Sequence, residues 1–77
     1  MDKNDRLKMA FAKGLQRNIN DISEDLKEGD LNWDSVATVE IALAIEEEFS
    51  VSIEPHEFDI QSFKNAKFML EDKGIVF

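Results

Sequence analysis

At 77 residues and a formal charge of −8, the chain has room for one small domain and not for two. Its 43% hydrophobic and 34% charged residues set it among compact chains rather than disordered ones. Without cysteine it can hold neither a disulfide nor a thiolate metal site, and its single histidine, His56, cannot build a zinc site unaided.

The opening M-D-K-N-D-R lacks the apolar region of a signal peptide, and no apolar run approaches the ~20 residues of a membrane span. A cytoplasmic location without membrane insertion is expected. The first helix is predicted from about Asn4 or Asp5 to about Asn18. Leu7, Phe11 and Leu15 recur every four residues, Ala10 and Ile19 extend the stripe, and Asp2 and Asp5 suit the positive helix start. Gly14 inside it costs on the order of 1 kcal/mol against alanine.

Residues 20–33 are polar with isolated anchors at Ile22, Leu26 and Leu31, and Gly29-Asp30 signals a turn. Long ordered connections in small domains are often functional. An EF-hand is testable here, because Asp21, Ser23 and Asp25 have ligand spacing. It fails, since the sixth position is Leu26 and the twelfth is Asn32.

Charge separates along the chain. Residues 1–20 hold five basic and two acidic side chains, residues 21–59 thirteen acidic ones against Lys27 alone, and residues 60–77 three basic and two acidic. The acidic middle repels phosphate backbones and anionic lipid headgroups, so nucleic acid and membrane surfaces are poor candidate partners. It steers basic proteins inward, or else simply keeps the chain soluble.

A second helix is predicted to start at Asp34, an N-cap residue, and to run through Phe49. Turning ~100° per residue from Val36, Ile41, Ile45, Phe49 and Ala42 fall between about 140° and 240°, a sufficient core stripe. Val39, Leu43 and Val36 form a second group between about 300° and 0°, with Glu46, Glu47 and Glu40 around them. Either the helix is central and touched from several sides, or this second group docks a partner with a basic rim. Beyond it, Pro55 opens a short helical turn with His56 and Glu57 in solvent. A last helix, capped by Ser62, carries Phe63, Ala66, Met69 and Leu70 inward and stops at Lys73-Gly74.

Ser35 stands in the first turn of the second helix. As a nucleophile it has no G-x-S-x-G elbow, and the only histidine is far downstream. As the bearer of a phosphate group it is well placed, because free N–H groups and the helix dipole stabilise negative charge there.

The run L-N-W-D-S-V, followed by A-T-V-E-I-A-L-A-I-E-E-E-F, resembles the acyl carrier proteins and related 4′-phosphopantetheine-dependent carriers. Their signature is Leu-Gly-x-Asp-Ser-Leu ahead of a helix ending in Leu-Glu-Glu-Glu-Phe, and the likeness covers nearly the whole chain. It implies an all-α four-helix bundle with three principal helices and a short third one, as a single monomeric domain over residues 1–77. It also implies 4′-phosphopantetheine, transferred from coenzyme A onto Ser35, and no catalysis by the chain itself. Implied partners are a phosphopantetheinyl transferase and acyl-loading and acyl-processing enzymes with basic docking patches. They would dock on Asp34, Val36, Glu40, Leu43, Glu46 and Glu47, to which the second apolar group adds Val39.

Departures from the signature are Asn32 for glycine, Val36 for leucine and Ala37 where fatty acid carriers often have aspartate. The loop and third helix look shortened. With Trp33 beside the serine, W-D-S-V-A is closer to carriers of capsule, lipopolysaccharide or secondary-metabolite pathways. Trp33 reads either as a cap on the core or as a contact for the arm or a partner. Phe58, Ile60, Ile45 and Phe68 read as core or as shelter for an acyl chain. The expected function is a free-standing acyl carrier for fatty acid, polyketide or other specialised pathways. The alternatives are an aminoacyl or peptidyl carrier and an unmodified acidic helical adaptor.

Overall fold

The computed structural model describes residues 2–57 and 59–77. Phe58, one of the residues considered for acyl shelter, lies outside them. The described residues form three α-helices, α1 (Lys3–Leu15), α2 (Ser35–Phe49) and α3 (Phe63–Asp72), with 3-10 turns at Ile19–Asp21, Asp30–Asn32 and Pro55–Glu57. The short third helix expected at Pro55 is a single 3-10 turn. Among the described residues there is no strand, only an isolated bridge between Lys27 and Ser62. Among the described residues no helix is long and apolar enough to cross a membrane.

Each helix starts on a side-chain cap. Asp2, Asp34 and Ser62 accept hydrogen bonds from the backbone N–H groups of Asp5, Ala37 and Asn65. α1 ends three residues before its predicted limit. Gln16 adopts a left-handed conformation (φ 56°), its N–H bonds Lys13 O, and Arg17 N–H returns to Ala12 O at 2.8 Å. That is a Schellman stop built on glutamine, which carries none of the sequence signal a glycine would. α3 stops in the same way at Gly74 (φ 95°), where Ile75 N–H bonds Leu70 O at 3.0 Å.

α1 and α2 run antiparallel. Arg6 of the first turn meets Glu48 at 3.0 Å near the far end of α2, and Gly14 lies against Ile41. A Cβ on Gly14 would come within 2.6 Å of the Ile41 side chain and 2.7 Å of its backbone, so the glycine sets the distance between the helices. Arg6 also donates to the Glu48 carbonyl and lies 4.9 Å from the centre of the Phe49 ring, closing the C-terminal end of α2 with a cation.

The core joins Leu7 and Phe11 of α1, Ile41 and Ile45 of α2, and Phe63 and Leu70 of α3, all fully buried. Phe11 stands at its centre, with ring centroids 5.5 Å from Trp33 and 5.2 Å from Phe63. The long connection is fastened across the molecule. Ile22 and Leu26 are buried, Glu28 N–H bonds Gln61 O at 2.8 Å, and Phe63 N–H bonds Leu26 O at 2.9 Å. Lys64 reaches Asp25 and Lys67 reaches Glu24, so both lysines of α3 hold the acidic loop.

Glu57 departs from the solvated role expected of it. Its carboxylate accepts from Glu54 N–H at 3.0 Å and from Lys73 Nζ at 2.9 Å, tying the 3-10 turn to the end of α3. That backbone bond, with the Lys73 ammonium, holds the Glu57 carboxyl below its ordinary range. Lys73 is far away in sequence, so only the folded chain brings the two together. His56 is exposed, as expected.

Candidate modification and docking site

The start of α2 assembles from three consecutive residues with separate duties. Trp33 is buried, at 2% exposure, and its indole Nε1–H donates to Thr38 Oγ1 at 2.8 Å. Thr38 Oγ1 in turn donates to Asp34 O at 3.2 Å, so a buried hydroxyl links the tryptophan to the helix start. Of the two readings open for Trp33, the structure shows the core cap. Asp34 takes the N-cap, its Oδ1 accepting from Ala37 N–H at 2.9 Å. Ser35 follows at the first helical position, exposed, and among the described residues nothing hydrogen-bonds its hydroxyl.

The approach to this start is bent to fit. Leu31 and Asn32 are both left-handed, with φ of 52° and 62°. The position where the carrier signature has glycine therefore demands a positive φ, and asparagine is among the few other residues that tolerate it. The N–H groups of Ser35 and Val36 have no partner within the helix, since Asp34 satisfies only Ala37 and Thr38. An exposed hydroxyl beside two such donors fits a phosphate ester on serine. A groove of about 570 Å³ opens alongside, lined by Arg17, Leu31, Asn32, Asp34, Val36 and Glu40 among others.

Behind Ser35, α2 shows two apolar faces. Ile41, Ala42, Ile45 and Phe49 are buried. Val36 is 68% exposed, Val39 42% and Leu43 48%. Glu40 and Glu47 are also exposed on this side, and Lys13 of α1 lies 3.7 Å from Glu47. Glu46 is placed differently from the rest. It is half-buried, and its Oε2 accepts from Ile53 N–H at 2.8 Å, capping the chain that leaves α2. The helical wheel places Glu46 among the acids around the second apolar group, and a backbone donor seven residues on decides which way it turns.

Ile45 and Ile60 are core residues, whereas Phe68 is 68% exposed on α3. Ile60 and Phe68 line one crevice beside Met69, and Ile45 is not part of its lining. Sequence reasoning missed Thr38, whose burial follows from Trp33, and Met9 and Lys13, which stand beside the exposed face of α2. Met9 is off the Leu7–Phe11–Leu15 stripe, and that displacement was the one available signal.

No curated protein matches the chain. Residues 5–66, which include both helix α2 and its start, match the family described as phosphopantetheine attachment site. Members of this family carry 4′-phosphopantetheine covalently and interact with phosphopantetheinyl transferases and other partner enzymes. With most of its length matched, the chain belongs to the phosphopantetheine attachment site family and is a phosphopantetheine-bearing carrier protein.

Proposed function

We propose that Ser35 is the attachment residue and that the chain carries acyl groups for a fatty acid, polyketide or other specialised acyl-transfer pathway, without catalysing turnover itself. When bound, the group supplies a distal thiol on which acyl cargo travels as a thioester. The residues of this chain have two tasks. The α2 start holds the phosphate end through N–H groups already oriented by the Asp34 cap. The outward face of α2, with Val36, Val39 and Leu43 between Asp34, Glu40 and Glu47, receives enzymes with basic docking patches.

One observation carries this reading. The helix that Ser35 begins leaves three aliphatic side chains in water on the face turned away from the core, with carboxylates at their edge. A core requirement does not account for them, because the other face of α2 supplies the core. Glu46 is left out of the docking set, its carboxylate being engaged by Ile53.

Incubation with coenzyme A and a broad-specificity phosphopantetheinyl transferase, followed by intact mass, tests the assignment. Wild type gains one phosphopantetheine and Ser35→Ala gains none. No gain on the wild type makes the chain an unmodified helical adaptor, and an equal gain on Ser35→Ala moves the site elsewhere. Loading of the modified chain by a panel of acyl and aminoacyl ligases then distinguishes acyl from aminoacyl cargo.

A further inference from the structure

A further exposed apolar side chain stands on α1, across the Lys13–Glu47 ion pair from Leu43. Met9 of α1 is 39% exposed, and a crevice between the helices is lined by Met9, Ala10, Lys13, Ala44, Glu47 and Glu48. A second crevice is lined by Lys13, Gly14, Glu40, Leu43, Ala44 and Glu47. The two share Lys13, Ala44 and Glu47, so they meet beneath the Lys13–Glu47 ion pair. Both partners of that pair are largely solvated, at 65% and 75% side-chain exposure, and they stand 3.7 Å apart. Gly14 and the buried Ala10 and Ala44 line these crevices, where α1 and α2 lie close together.

We propose that the transferase docks on a two-helix surface, with Met9 extending the apolar patch and Lys13 occupying Glu47 in the place that a partner's lysine or arginine takes. This rests on the docking reading of α2 given above. The occupant is identified by charge. Thirteen acidic side chains against one lysine in residues 21–59 select a basic rim, and Lys13 itself shows which carboxylate a cation reaches across the crevice. An exposed pair at this separation is loosely held, so an incoming cation exchanges with Lys13 at little cost. Met9 and Lys13 are one turn apart on α1, so a partner that displaces the lysine also covers the methionine.

Initial rates of modification at varied carrier concentration test this, with Met9→Ser and Lys13→Gln compared with wild type. Met9→Ser raises KM for the carrier about 3- to 10-fold, with kcat and melting temperature held near wild type. Lys13→Gln lowers KM by about 2- to 5-fold, since Glu47 is then vacant for the partner. A wild-type KM for Met9→Ser, or an unchanged or higher KM for Lys13→Gln, overturns the two-helix surface while leaving Ser35 as the attachment residue.

A second measurement needs no substitution. In methyl-labelled protein titrated with the transferase in the absence of coenzyme A, the Met9 methyl resonance shifts or broadens. The Met69 methyl, beside His56 and Phe68 on another face, does not. A silent Met9 methyl under saturating transferase also overturns the proposal. Failure of the wild type to be modified at all overturns the Ser35 reading, and this inference with it.

Discussion

At the scale of single residues, the start of α2 depends on two contacts that are hard to anticipate. Trp33 needs a partner for its indole N–H once buried, and Thr38 supplies it. Thr38→Val keeps the shape and deletes the acceptor, so it is expected to cost about 1–3 kcal/mol, measured by chemical denaturation. Asn32 is the second. With φ of 62° it holds a backbone that glycine adopts freely and alanine does not. Asn32→Gly is expected to leave stability within about 0.5 kcal/mol, whereas Asn32→Ala loses about 1 kcal/mol or more. Sequence alone showed Asn32 as a departure from a glycine pattern. It did not show the left-handed backbone that makes the exchange conservative. Asp34 was legible, because an aspartate ahead of an apolar-periodic run is a helix start by its chemistry. Thr38 was not, because its partner is an indole nitrogen whose direction is set only after the core closes.

At the scale of elements, α2 was the most legible, its start following from the chemistry of Asp34 and its two faces from helical period. The end of α1 was the least legible, since Gln16 provides the left-handed stop usually given by glycine. The glycine actually present, Gly14, looked like a weakness in the helix and instead lies against Ile41 of α2 where a Cβ has no room. Gly14→Ala therefore sets two effects against each other. Helix propensity favours alanine by about 1 kcal/mol. The new methyl meets Ile41, backbone included, where overpacking costs about 1–3 kcal/mol and the helices must part. The net expectation is a less stable protein, with a lower denaturation midpoint and an altered KM for the transferase if the α1–α2 crevice widens. The 3-10 turn at Pro55 was foreseen as a place but not as a length. Its bond to α3 through Glu57 and Lys73 is tertiary and leaves no local pattern.

At the scale of the whole molecule, charge is arranged rather than merely accumulated. Arg6, Lys27, Lys64, Lys67 and Lys73 each pair with a carboxylate away from the outward face of α2. Glu57, which accepts the Glu54 N–H and pairs with Lys73, sets a pH response. The folded carboxyl titrates lower than the unfolded one, so its stabilisation is complete above the usual glutamate range and disappears as pH falls through the folded value. Wild type is thus expected to lose more stability than Glu57→Gln as pH falls through and below the usual glutamate range, checked by denaturation at each pH. The chain's net charge was read from the sequence without error, but the pairing that decides which charges remain available came only from the fold. One further consequence follows from how the mouth of α2 is built. The Asp34 side chain holds the helix, and the Ser35 hydroxyl holds nothing among the described residues. Esterifying that oxygen, or deleting it, breaks no internal bond. The chain therefore divides upkeep from traffic: one residue maintains the architecture, and its neighbour is spare chemistry that can be altered and restored while the scaffold stays the same.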